Sequence, residues 1–155
     1  SQEDASGAYC KIHPVVQKEL PVGLVIRPAE NEDLKEIARQ WASSFEPAWG
    51  SITIGSLFRH LAPHLWRRAH RALVEELVRE CLINVLVLEE EPSVPLAWVA
   101  FDPVRLHYVY TLDKARRQGL ATRLVTNVRE GYTLTEAPTH MTAGGSALLR
   151  ALEIA

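Results

Sequence analysis

The chain has 155 residues, 47% of them hydrophobic and 23% charged, with a formal net charge of −2. That length and composition predict one globular domain able to build a core without disulfide staples. The near-balanced charge gives no global field for nucleic acid, and the two cysteines, Cys10 and Cys81, lie too far apart for a disulfide scaffold or a metal set. They suit a reducing compartment. No apolar run reaches membrane-span length: the longest, Leu82 to Leu88, is strand-sized and interrupted by Asn84. The opening Ser1-Gln2-Glu3-Asp4 lacks the basic and apolar regions of a secretory signal, so the expected location is cytoplasmic.

Residues 1–21 carry little periodicity and read as an N-terminal arm, ahead of a domain over 22–155. Leu24, Val25 and Ile26 begin a short strand that Pro28 stops. Asn31 or Glu32 precedes a helix whose inward face is Leu34, Ile37, Ala38, Trp41 and Phe45. Pro47 and Gly50 break it, and a connection follows with a short helix around Ile54 to His60. Pro63 marks the next helix start, where a missing N–H costs nothing; its stripe is Leu65, Ala69, Ala72, Leu73 and Leu77.

Leu82 to Leu88 reads as a buried strand, Glu89 to Ser93 as a polar turn, and Leu96 to Phe101 as the paired strand. Asp102-Pro103 turns the chain into a strand carrying His107 to Thr111. Gly119 opens a helix with Leu120, Leu124, Val125 and Val128 inward, Gly131 ends it, and Tyr132 to Thr135 is a short strand. A last helix spans Gly144 to Leu152, with Thr142 placed to cap it. This order predicts an α/β domain with helices on both faces of a mixed sheet.

Residues 105–129 concentrate the functional signal: an apolar and aromatic strand, a basic loop with Lys114, Arg116 and Arg117, a glycine, then a helix. Free N–H groups and the positive helix terminus there suit a diphosphate. The same layout also fits a plain strand–turn–helix joint. Arg116-x-x-Gly119-x-Ala121 after Val109-Tyr110-Thr111 resembles the acyl-coenzyme A loop of the GCN5-related N-acetyltransferase superfamily. Ile26-Arg27-Pro28-Ala29 followed by Asp33-Leu34 is similar to that family's first strand and helix opening, and the resemblance runs over roughly residues 22–135. It implies a three-layer fold with a central mixed, mainly antiparallel sheet, shortened at the C-terminus, where the family's usual final strand pair is missing. Either the fold is shortened, a partner covers the open edge, or the N-terminal arm substitutes.

The resemblance further implies acetyl-coenzyme A as cosubstrate. The backbone of Val109, Tyr110 and Thr111 would pair with the pantetheine arm, and an N–H near Tyr110 or Thr111 would polarise the thioester. Arg116, Arg117, Gln118, Gly119, Leu120 and Ala121 would hold the diphosphate, Gly119 supplying close approach and a positive φ if the loop needs one. Many relatives carry a second glycine where Arg117 stands.

For proton transfer, His107 has the right range for a base, with Tyr108 as the alternative. Strand alternation puts the two on opposite faces unless a bulge re-aims one. Each also reads as packing, His107 as a hydrogen-bonded sheet residue and Tyr108 as part of an aromatic stripe with Tyr110. The family's tyrosine acid has no counterpart in the last helix, leaving His140 or Ser146 as the donor to the leaving sulfur.

Trp41, Phe45, Trp49, Phe58 and Trp66 read either as an aromatic acceptor pocket or as core. His60, His64 and His70 lack a completing ligand, so no metal site is expected. The function expected is transfer of an acetyl group from acetyl-coenzyme A to an amine, on a small molecule or a protein. The alternatives are a catalytically weak or inactive coenzyme-binding protein, or a nucleic-acid-associated modifier using Arg59, Arg67, Arg68, Arg71 and Arg79, which Glu75, Glu76 and Glu80 dilute. No membrane partner is expected, and an open sheet edge favours a homodimer.

Overall fold

The computed structural model describes residues 23–45, 63–140 and 143–152. The elements are β1 (Leu24–Pro28), α1 (Asn31–Ser44), α2 (Pro63–Glu80), β2 (Leu82–Leu88), β3 (Ala97–Asp102), β4 (Arg105–Thr111), α3 (Leu120–Gly131) and α4 (Ala143–Ala151), with one 3-10 turn at Asp113–Ala115. The strands lie in the order β1-β2-β3-β4, each pair antiparallel. Helices cover both faces, so the α/β sandwich read from the sequence is the architecture found. The N-terminal arm, the short helix at Ile54 to His60, Trp49, Phe58 and Thr142 lie outside the described residues.

Alternation along the strands sorts the core into two layers. Ile83, Val85, Val87, Trp98 and Ala100 pack with Ile37, Trp41, Val74 and Val78 of α1 and α2. Leu86, Ala97, Val99, Phe101 and Leu106 pack with Leu120, Leu124, Val125 and Val128 of α3 and Leu149 of α4. The four inward residues of α3 are those its periodicity predicts. Asn84, which interrupts the apolar run of β2, donates its side-chain amide to Asn127 Oδ1 at 3.2 Å. A polar residue on a strand face is thereby satisfied from the helix above it.

Three readings are corrected. The α2 stripe is rotated: Leu65 and Ala72 are exposed, while His70, Val74 and Val78, four residues apart, are buried. α1 buries Asp33 and Gln40 beside Ile37 and Trp41, because each has a partner. Asp33 accepts from Arg27 at 2.8 Å and from the Glu30 N–H at 2.7 Å, and Gln40 Oε1 accepts from Trp98 Nε1 at 2.8 Å.

The short strand at Tyr132–Thr135 is not formed. The N–H groups of Thr135 and Glu136 both donate to the Val104 carbonyl, each at 2.9 Å. Consecutive N–H groups in a strand point in opposite directions, so sharing one acceptor is incompatible with a ladder.

Candidate functional site

The loop from β4 into α3 has two residues in the left-handed region, Arg117 at φ 66° and Gly119 at φ 75°. Gly119 is the N-cap of α3 and makes no side-chain cap. The first turn of a helix has N–H groups with no intrahelical partner, and here they open onto a loop bearing Lys114, Arg116 and Arg117. A Cβ at Gly119 would meet nothing within 4 Å. The glycine is therefore needed for its backbone angle and not for room. Arg116 is tied down: its Nε donates to the Thr111 carbonyl at 2.9 Å, and its guanidinium pairs with Asp113 at 2.8 Å and lies 5.9 Å from the Tyr110 ring centroid. It clamps the loop to the end of β4. Arg117 is exposed.

β4 has a strand neighbour only on its β3 side among the described residues. The segment after α3 meets β4 at its start, through Val104 and through Thr139 on His107. Among the described residues, Val109 to Thr111 thus keep the outward backbone groups of an edge strand, next to the start of α3: Val109 and Leu112 pack on the cluster that holds Ala115 and Leu120.

A bulge interrupts β4. Ala100 stands opposite Tyr108 and Phe101 opposite Leu106, so His107 is the extra residue. Leu106 and Val109, three apart, consequently both reach the α3 layer, while Tyr108 and Tyr110 reach the α1/α2 layer. The re-aiming that would relax strand alternation between His107 and Tyr108 is present at that position.

His107 is buried between two partners, with Nε2 3.1 Å from Asp102 Oδ2 and Nδ1 2.8 Å from Thr139 Oγ1. Thr139 Oγ1 also lies 3.0 Å from His140 Nδ1, and His140 Nε2 lies 2.9 Å from His70 Nε2. Burial lowers the pKa of all three rings, to about 4 for His70 and about 3 for His140. For His107 burial is opposed by Asp102, and the net direction is still downward. Burial thus favours the neutral form of each ring.

Around His140 and His70 stand Trp41, Phe45, Trp66 and Tyr108. Ring centroids are 4.7 Å apart for Phe45–His140 and Trp66–His70, and 5.1 Å for Trp41–His140. Tyr108 stacks on Trp41 and its hydroxyl lies 3.1 Å from Ser44 Oγ. Trp41 Nε1 is the buried side-chain nitrogen without a hydrogen-bond partner among the described residues. Trp41 and Phe45 are buried core residues.

His70 reaches this cluster although the sequence offers it only a metal role, Asp102 only a turn, and Thr139 none. Their separation in sequence hides the connection. The Ser146 side chain lies outside what is described. Cys81 is half-buried, and burial pushes its thiol up to about 11.

Among the described residues no group of three His, Cys, Asp or Glu side chains could hold a metal, and no helix is long and apolar enough to cross a membrane. Of the α2 arginines, Arg71 faces Glu75 at 3.6 Å and Arg79 pairs with Glu76. Arg71, Glu75 and Arg79 line, with Lys35, Glu36 and Arg39, a groove of about 540 Å³ of mixed charge, a solvated face with no single-sign field.

No family model matches the sequence, and no curated protein matches it. Among solved structures, a Drosophila protein superposes with a TM-score of 0.53 at 20% identity, covering 86% of this chain. The chain spans 40% of that protein's length. A GCN5-related N-acetyltransferase from Ralstonia eutropha JMP134 gives 0.52 at 16% identity, covering 84% of this chain and 91% of that one. A ribosomal-protein-alanine N-acetyltransferase from Brucella melitensis biovar Abortus 2308 gives 0.51 at 14% identity, covering 83% and 90%. These likenesses show that the chain has the GCN5-related N-acetyltransferase fold.

Proposed function

We propose that this fold is used here as an N-acetyltransferase, moving an acetyl group directly from acetyl-coenzyme A to an amine. The observation that carries the reading is the left-handed loop at Arg117 and Gly119, which sets the unpaired N–H groups of α3 beside the open half of β4. In this reading the N–H groups of Arg117, Gln118, Gly119, Leu120 and Ala121 take the diphosphate. The outward backbone of Val109, Tyr110 and Thr111 pairs with the pantetheine arm, and one N–H near Tyr110 or Thr111 polarises the thioester carbonyl. Arg117 adds the exposed charge, while Arg116 shapes the loop.

The amine nitrogen attacks the carbonyl carbon, loses a proton, and the thiolate leaves; of the two donors expected for that sulfur, His140 has both ring nitrogens engaged by Thr139 and His70, which leaves Ser146 as the candidate. His107 is the imidazole on the coenzyme strand, but both its ring nitrogens are engaged, so it acts through its neighbours. The acceptor is a small-molecule or protein amine, the compartment the cytoplasm, and a homodimer would cover the open edge. A coenzyme-binding protein without transfer is the second reading, favoured by the burial of His70, His107 and His140.

Calorimetric titration with acetyl-coenzyme A tests the loop. A folded Gly119→Val variant is expected to lose coenzyme affinity by more than either Arg116→Ala or Arg117→Ala. Unchanged affinity in Gly119→Val removes the phosphate-loop assignment. Thiol release with a panel of amines separates transfer from binding alone.

A further inference from the structure

Five side chains from four parts of the chain form one continuous hydrogen-bonded line: Asp102 at the end of β3, His107 in the β4 bulge, Thr139 and His140 after α3, and His70 in α2. Its four links are 3.1, 2.8, 3.0 and 2.9 Å. A carboxylate can only accept, so the end of the line at Asp102 has a fixed polarity. His107 must donate Nε2–H to Asp102, which leaves Nδ1 a lone pair. Thr139 must then donate its O–H to that lone pair and accept from His140 Nδ1–H. His140 Nε2 is then the acceptor for His70 Nε2–H. Every neutral ring has one N–H and one lone pair, so a single carboxylate dictates three tautomers, the last of them on another helix.

We propose that Asp102, acting through His107, Thr139 and His140, fixes His70 in its Nε2–H tautomer and so leaves His70 Nδ1 as the proton-accepting end of the line, beside the Phe45 and Trp66 rings. Asp102, His107, Thr139 and His140 are positioning residues in this arrangement. The balance is one proton in and one passed at each link. A proton taken at His70 Nδ1 sends Nε2–H to His140, Nδ1–H to Thr139, the hydroxyl proton to His107 and Nε2–H to the Asp102 carboxylate. The return by the same links restores the starting tautomers. No imidazolium needs to persist among the aromatic rings, which is consistent with the low basicity that burial gives His70 and His140. The acetyl-transfer reading enters only in naming the proton's source, an amine.

The turn at Asp102 makes the test sharp. Asp102 Oδ1 accepts from the Val104 and Arg105 N–H groups at 2.9 and 3.0 Å, while Oδ2 faces His107. In Asp102→Asn the side-chain carbonyl is held by those two N–H groups, so the NH₂ points at His107 Nε2. The line is expected to reverse.

Long-range nitrogen–proton correlation on the ¹⁵N-histidine-labelled 155-residue chain at pH 7 reads each tautomer directly. The wild type should show Nε2–H at His70 and His107 and Nδ1–H at His140. Asp102→Asn should invert all three. In Asp102→Asn/Thr139→Val, His107 should still invert while His140 and His70 no longer follow. A wild-type His140 carrying Nε2–H, or a folded Asp102→Asn protein with His70 unchanged, overturns the proposal. Acetyl-coenzyme A titration of the same samples keeps the two readings apart. A wild type that binds no coenzyme sinks acetyl transfer and leaves the tautomer result standing, whereas uncoupled tautomers with coenzyme bound sink only the relay.

Discussion

Arg117 and Gly119 occupy the same left-handed region two residues apart, but only one of them is a glycine. A side chain at positive φ costs roughly 1–2 kcal/mol through the contact of Cβ with its own carbonyl. Glycine at such a site loses about 0.4–1 kcal/mol of that gain to the greater freedom of the unfolded chain. Arg117→Gly is therefore expected to stabilise the fold by about 0.5–1 kcal/mol, and Gly119→Ala to destabilise it by a similar amount. Open space around Gly119 leaves the angle as the only cost. For a domain of this size 1 kcal/mol corresponds to about 2–4 °C in melting temperature. Arg117→Ala is the control, because it removes the charge and keeps the Cβ. Urea unfolding at constant m-value measures all three. If Arg117→Ala stabilises as much as Arg117→Gly, the effect is charge repulsion within the loop and the backbone argument fails.

Two further predictions concern buried ionisable groups. Asp33 closes the capping box at the start of α1 and pairs with Arg27, which also donates to the Pro92 carbonyl at 2.6 Å. Asp33→Ala is expected to cost about 2–4 kcal/mol, from a lost cap and a lost charged hydrogen bond, whereas Glu36→Ala at the exposed pair with Arg39 should cost under about 1 kcal/mol. Equal effects in urea unfolding would contradict the burial argument. Because burial lowers His70 to about 4, the unfolded chain binds protons more readily than the folded one once pH falls below about 6.5. Stability present above that pH is lost on the way down, on the order of 2 kcal/mol from one such histidine between pH 7 and 5. A flat stability profile over that range would show that His70 is not held neutral by the fold.

The sequence was most legible where one face of an element meets one apolar layer. The span of β2 and the four inward residues of α3 follow from periodicity alone. Legibility ended where burial depends on a partner distant in sequence. His70 fell outside the α2 stripe because an imidazole reads as polar, yet its partner His140 lies 70 residues away and satisfies it. Gln40 is buried by Trp98 for the same reason, 58 residues on. The β4 bulge left no mark in composition, since it is a property of the register with β3. Tyr132–Thr135 has strand-forming residues, and what diverts it is a single carbonyl at Val104.

The missing fifth strand and the histidine line are connected. A regular strand beside β4 would turn successive side chains to alternate faces and occupy the outward backbone of β4 along its length. Among the described residues the irregular segment instead engages β4 at its start, and that lets Thr139 and His140 bring the line round to the α1/α2 layer. His107, as the extra residue of the bulge, is free of the register that would otherwise fix its direction. Among the described residues, the same departure from regular pairing leaves Val109 to Thr111 on an open edge beside the start of α3. Restoring regular pairing along β4 would close that edge and pull Thr139 away from His107, so the open strand and the proton line stand or fall together.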